Sequence, residues 1–355
     1  MTHPLLYLCG EAKEGHLDKH FSRNKLTCFI SRNCDTVAGG SAAWLQDGSI
    51  TFGFSPVLIQ TLARDKDNMR GLVNYNIRED EDNYKVIINA DGVKGNNITK
   101  SGNKKYSLDL QEVKLHDPIF LEEELNFSSC GLAFANHPTS AEKIFANYPI
   151  SKEKLDAEQD SQTKEVYERE LVELLKSKND NIEDVVGFFH SIRSDLNPTS
   201  SPVFHVHGDY TATSAKNRMR FLLKEKAEDW LGEDVHWGIV NTWRPIENPV
   251  EKSPLGFVDP STLSSEDLLT VSYIYPDEGK ADEYQHSEHP ALVHNESHRW
   301  LVLDKMEPSM VWIFNQYDTR GLITVPHSAV EIVGTREDAR PRRSIESKML
   351  VKYKD

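Results

Sequence analysis

The sequence predicts a mainly β protein with peripheral helices, in the α+β class, and three observations carry that expectation. From Val185 onward, short runs rich in β-branched and aromatic residues recur between turn signals. Between Ser140 and Lys178 the pattern changes: Val166, Leu171, Leu174 and Leu175 recur near helical spacing, with charges on the other face. Finally, His207-Gly208-Asp209 places two potential ligands two residues apart, a spacing that puts both side chains on one face of a strand.

Residues 1–70 are the hardest to place. Cys28-Phe29-Ile30 and Ser49 to Phe54 read as short strands around a turn at Gly39-Gly40. Leu72 to Ile77 and Tyr84 to Ile88 read as strands, followed by a turn-rich loop from Asp91 to Asn103. The amphipathic segment up to Lys178 is expected to pack on the outside of the β core. A second helix is expected from about Ser214 to Trp230. The polar, acidic stretch Asp277 to Glu296 contains His286, His289 and His294 and is expected to be a mobile flap near the mouth of the site. A second metal site there is the weaker alternative, because no compact ligand spacing supports it. Residues 1–181 are thus read as strands and helices flanking a core at 182–355, in one compact unit, with 1–70 as an extension.

Composition narrows the class of function. A chain of 355 residues, 38% hydrophobic and 27% charged, is long enough to bury a substantial core. Its net charge of −15 argues against general binding to nucleic acid or anionic membranes. Cys9, Cys28, Cys34 and Cys130 show no metal-ligand spacing, which suits reduced thiols in a cytoplasmic protein. The apolar run in Met1 to Gly10 is too short for a secretory signal, and no membrane span is visible. No glycine-rich dinucleotide fingerprint supports NAD(P), and no methyl-donor loop supports S-adenosylmethionine.

The chemistry-bearing pattern is His207 and Asp209, answered by His327. Two histidines and one carboxylate leave three coordination positions open, which suits non-haem Fe(II) holding a co-substrate and O₂ together. A His-x-Asp pair alone is weak. Here Phe204 and Val206 read as a strand entering a core after the turn-rich Asn197 to Pro202, whereas His205 has no acid two positions on. Downstream, Arg342-x-Ser344 puts a guanidinium and a hydroxyl on one face, with Arg343 on the opposite face. An arginine offers a planar, permanently charged fork for the far carboxylate of a metal-bound 2-oxoacid. Its spacing from His327 suits the next antiparallel strand after a loop; the alternative is a solvated basic cluster from Arg336 to Arg343. Candidates for the substrate wall are Arg193, Asn241, Trp243, Arg244 and Tyr317, with Asn241 and Trp243 facing one way and Arg244 the other. For Arg244 a structural pairing with an acid such as Asp259 competes with substrate binding.

Several collinear strings make the pattern specific. Phe188-Phe189-His190-Ser191-Ile192-Arg193, then Val206 to Thr211, Asn241-Thr242-Trp243-Arg244-Pro245-Ile246, Pro254-Leu255 and Asp259 occur in that order. They are followed by His298-Arg299-Trp300, Tyr317-Asp318-Thr319, Pro326-His327-Ser328-Ala329 and Arg342-Arg343-Ser344-Ile345-Glu346. Together they resemble the hydroxylase/desaturase family of gibberellin desaturase-like and AsaB-like enzymes, related to CmcJ-like proteins, over roughly residues 105 to 350. That resemblance implies a double-stranded β-helix (jelly-roll, cupin-like) core. It also implies Fe(II)- and 2-oxoglutarate-dependent oxidation of a small molecule in secondary metabolism, with succinate and CO₂ as by-products. It assigns His207, Asp209 and His327 to the metal and Arg342 and Ser344 to 2-oxoglutarate, with no catalytic side chain beyond the metal centre. Two alternatives stay open: a cupin-type metalloenzyme without 2-oxoglutarate, and a non-catalytic CmcJ-like accessory subunit. The presence of all three ligands argues against the second.

Overall fold

The computed structural model describes residues 42–46, 49–53, 68–78, 83–87, 99–100, 108–146, 161–198, 200–274 and 286–354. The chain divides into two compact units, 1–62 and 63–355. In the first, β1 (Ala42–Gln46) and β2 (Ser49–Gly53) form an antiparallel hairpin, so the strand expected at Ser49 is present. The strand expected at Cys28-Phe29-Ile30 lies outside the described residues, as do Cys9 and Cys34 and most of the loop from Asp91 to Asn103.

The second unit begins with β3 (Arg70–Asn76), β4 (Asn83–Ile87), β5 (Thr99–Lys100), β6 (Leu108–His116) and β7 (Leu132–Asn136). It continues with β8 (Ile182–Ser194), β9 (Trp237–Pro245), β10 (Leu255–Val258), β11 (Leu268–Ile274) and β12 (His286–Leu292). The last strands are β13 (Trp300–Leu301), β14 (Met310–Asp318), β15 (His327–Ala329), β16 (Glu331–Ile332) and β17 (Arg343–Tyr353). Four α-helices are described: α1 (Phe127–Cys130), α2 (Glu142–Ala146), α3 (Arg169–Lys178) and α4 (Ala212–Leu223).

Two main sheets enclose the core. One runs β15-β10-β13-β6-β3-β16 and the other β7-β14-β9-β17-β8; a smaller sheet runs β12-β11-β4-β5. Trp243, Trp312 and Phe314 of the second sheet pack with Leu255, Phe257 and Leu301 of the first in one buried cluster. That sheet-on-sheet core, with strands of distant sequence position adjacent in space, is a jelly roll. Because β3, β6 and β7 belong to these sheets, the core draws on strands from both sides of residue 182.

Strand β17 shows how its sequence serves two faces. Ile345, Met349, Val351 and Tyr353 pack in a cluster with Leu171, Leu174 and Leu175 of α3, which covers the outer side of the sheet as the helical spacing predicts. Ser344, Glu346 and Lys348 alternate with them and face the other way. The second expected helix is present as α4, followed by a 3-10 segment Lys224–Asp229. Thr211 caps it: the Thr211 hydroxyl accepts the Ser214 N–H at 3.2 Å, and the Ser214 hydroxyl accepts the Thr211 N–H at 2.9 Å. The stretch expected to be a flap differs. Its described part, His286 to Leu292, is strand β12, paired along its length with β11, while 277–285 lies outside the described residues.

Candidate metal centre

The segment carrying His207 is extended but belongs to no long strand. It makes single antiparallel bridges to Ala291 and to His327. The His207 N–H donates to the His327 carbonyl at 3.1 Å, and the His327 N–H donates back at 2.9 Å. This reciprocal pair brings the two imidazoles together, with ring centroids 4.6 Å apart. Gly208 permits the close approach: a Cβ there would lie 2.6 Å from Thr324 Cγ2 and 3.2 Å from Pro290. One ligand atom from each of His207, Asp209 and His327 lies within 4.8 Å of the others.

The ring orientations follow from backbone carbonyls. His207 Nδ1 donates to the His205 carbonyl at 2.9 Å, and His327 Nδ1 donates to the Val325 carbonyl at 3.2 Å. A carbonyl only accepts, so both Nδ1 atoms carry the proton and both Nε2 lone pairs are left for a metal. Burial, reinforced by His327 and His205, lowers the His207 pKa and keeps the ring neutral, as a ligand must be.

Asp209 is held from three sides. Its N–H donates to Gln316 Oε1 at 2.7 Å, Asn241 Nδ2 donates to its Oδ2, and Lys348 Nζ lies 2.8 Å from its Oδ1. Glu346 joins Lys348 at 3.4 Å and Asn241 at 3.3 Å, closing a ring of four side chains. Burial would raise the Asp209 carboxyl, but Lys348, then His327 and His207, hold it well below the usual carboxylate range. Burial would likewise lower the Lys348 ammonium, yet Asp209 and Glu346 push it above its ordinary value.

A cavity opens beside the three ligands, lined also by Trp243, Arg342, Arg193, Glu346 and Lys348. Arg342 is buried, its Cζ 5.2 Å from the centre of the Trp243 ring, and Nη1 donates to the Ser253 carbonyl at 2.5 Å. Arg342 Nε and the Ser344 hydroxyl have no hydrogen-bond partner among the described residues, although both are buried. Burial lowers the Arg342 pKa to about 10, so the guanidinium stays charged at neutral pH. Two unsatisfied buried donors beside a charge fit an incoming carboxylate. The donor set of two imidazoles and one carboxylate likewise fits a divalent iron.

The structure separates the remaining candidates. Arg342 precedes β17, which belongs to the sheet opposite β15, so it is not on the next strand after His327. Arg343 points away and pairs with Glu247, as the strand alternation requires. Trp243 and Arg193 line the cavity, whereas Asn241 sits behind it, on Asp209. Arg244 faces the helical side, donating to the His137 carbonyl at 2.8 Å with Cζ 5.2 Å from the Tyr167 ring centre. Asp259 pairs with Arg299 rather than with Arg244. Tyr317 packs on Trp237 near α4 and does not line the cavity. Sequence reasoning missed the roles of Lys348, Glu346 and Gln316; the alternation of β17 with Ser344 was the one available signal, because it puts Glu346 and Lys348 on the same face.

Fold and site together define a jelly-roll protein in which two histidines and one carboxylate converge as a group that could hold a metal ion. A family model described as Oxidoreductase/YMDC permease-like domain matches residues 73–352, and the chain belongs to that family. Among the described residues no helix is long and apolar enough to cross a membrane. The chain is 31% identical over 165 residues to oxidoreductase clz16 of Cochliobolus lunatus, covering 45% of this chain and 56% of that one. It is 28% identical over 218 residues to hydroxylase/desaturase efuI of Hormonema carpetanum, covering 54% and 71%. It is 29% identical over 154 residues to the Fe(II)/2-oxoglutarate-dependent dioxygenase nvfI of Aspergillus novofumigatus, covering 42% and 52%. The matched stretch thus spans little more than half the length of two of these three relatives. Among solved structures, the iron and alpha-ketoglutarate-dependent endoperoxidase NvfI superimposes with a TM-score of 0.64 at 21% identity, over 81% of this chain and 98% of that one.

Proposed function

We propose that this protein is an Fe(II)/2-oxoglutarate-dependent oxygenase that hydroxylates or desaturates a small molecule in secondary metabolism. The observation that carries the reading is the convergence of His207, Asp209 and His327 within 4.8 Å, beside a cavity lined by a buried Arg342 whose Nε has no hydrogen-bond partner among the described residues. The names of the relatives, a hydroxylase/desaturase and a 2-oxoglutarate-dependent dioxygenase, point the same way. His207 and His327 offer Nε2 and Asp209 a carboxylate oxygen to the iron. Arg342 and the Ser344 hydroxyl receive the far carboxylate of 2-oxoglutarate, with Trp243 holding the guanidinium plane. When bound, the iron couples decarboxylation of 2-oxoglutarate to oxidation: substrate, O₂ and 2-oxoglutarate give either alcohol, succinate and CO₂, or alkene, water, succinate and CO₂. Lys348 and Asn241 hold Asp209 in place, and the apolar walls of Leu255 and Val203 limit water around the reacting centre. The acidic net charge and the cysteine pattern support a cytosolic enzyme that binds neither nucleic acid nor membrane.

The test is an anaerobic titration of the purified chain with Fe(II) and 2-oxoglutarate, read by the weak visible charge-transfer band of the chelate. The band is expected in the native protein and absent in His207→Ala. In Arg342→Ala it should require at least about tenfold more 2-oxoglutarate. Iron binding without the band would replace this reading with cupin chemistry independent of 2-oxoglutarate. No iron binding at all would remove the metal centre.

A further inference from the structure

Resting on the oxygenase reading, we propose that the substrate carries a carboxylate and that Arg193 receives it. The charges lining the cavity are Asp209 and Glu346 against Arg193, Arg342 and Lys348, an excess of one positive charge. The nearby His205 and His289 do not line the cavity and stand outside that balance. Iron(II) and the 2-oxoglutarate dianion bring equal and opposite charge, so loading the site does not remove the excess.

Pairing the charges shows where the excess sits. Lys348 is shared between Asp209 at 2.8 Å and Glu346 at 3.4 Å. Arg342 is committed to the far carboxylate of 2-oxoglutarate. Asp195 accepts the Arg342 backbone N–H at 2.6 Å and does not line the cavity. That leaves Arg193, whose one side-chain hydrogen bond among the described residues is Nη1 to the Ser201 carbonyl at 3.1 Å. A carbonyl orients a guanidinium but does not neutralise it. In the antiparallel register of β8 and β17, Arg193 stands directly opposite Ser344, on the same face of the sheet, and Arg193 itself lines the cavity. It is half-buried, whereas Arg342 is buried, and this leaves its remaining donors accessible to a ligand entering the cavity. An arginine fork in a partly desolvated wall matches a carboxylate in bidentate geometry better than a hydroxyl or an amide.

The experiment uses the full chain loaded with Mn(II) and 2-oxoglutarate. The probes are cyclohexanecarboxylate and decanoate, each beside its primary amide. Paramagnetic broadening of the probe NMR lines reports binding near the metal without turnover. The acids should bind about tenfold more tightly than the amides, and Arg193→Gln should erase that difference. The same variant should keep its 2-oxoglutarate Kd within about twofold and its unfolding temperature near that of the native chain. Acids and amides binding alike, or an acid preference that survives in Arg193→Gln, overturns the proposal. A tenfold loss of 2-oxoglutarate affinity in Arg193→Gln also overturns it, because Arg193 would then belong to the co-substrate clamp. A native chain that takes up no 2-oxoglutarate sinks the oxygenase reading itself, a failure distinct from the others because it appears before any probe is added.

Discussion

Lys348 Nζ lies 2.8 Å from Asp209 Oδ1, so the carboxylate offered to the metal already carries a buried counter-charge from a strand 139 positions later in the chain. Such a pair offsets its own desolvation only while both partners remain. Lys348→Met is therefore expected to destabilise the metal-free protein by about 3 kcal/mol, since it strands both Asp209 and Glu346. A divalent cation replaces the lost charge, so Mn(II) should raise the unfolding temperature of the variant more than that of the native chain. Thermal unfolding with and without Mn(II) checks both statements; equal Mn(II) stabilisation in the two proteins would contradict the counter-charge role.

Acid should weaken the metal-free fold before its carboxylates titrate. Burial lowers His205 and His289 to about 4, so the folded state binds fewer protons than the unfolded chain, whose histidines titrate near 6.5. Their stabilising contribution is fully present above about pH 6.5 and is lost as pH falls towards 4. Each group contributes on the order of 2 kcal/mol after allowance for partial exposure. The depressed Asp209 adds a loss only below about pH 4. Urea unfolding between pH 7 and 4 checks the window, and a flat profile would contradict it.

In the proposed function Arg342 and Ser344 act together on 2-oxoglutarate. Arg342→Lys should raise the 2-oxoglutarate Kd by about 10- to 100-fold, because a lysine neither forms the fork nor stacks on Trp243. Ser344→Ala should have a smaller effect, about threefold to tenfold, from the loss of one hydrogen bond. Metal affinity measured without 2-oxoglutarate should stay unchanged in both.

Arg244 makes the opposite prediction. It is fully buried and bonds His137 on the helical side of the sheet. Arg244→Met should cost about 2–4 kcal/mol in denaturant unfolding. Its 2-oxoglutarate and metal affinities, measured below the unfolding transition, should match those of the native chain.

What the sequence determined by itself was local or collinear. The His207-Asp209 spacing, the face shared by Arg342 and Ser344, and the helical face of Leu171, Leu174 and Leu175 follow from the two- and 3.6-residue periods of an extended or helical chain. The pairing of His327 with the first two ligands was legible only through the ordered motifs around it. The tertiary structure decided everything that depends on strand register: Lys348 and Asn241 on Asp209, Arg193 opposite Ser344, Arg299 rather than Arg244 on Asp259, and β12 where a flap was expected. Register between strands more than a hundred residues apart is set by which faces the two sheets bury against each other, a collective packing property that no single segment encodes.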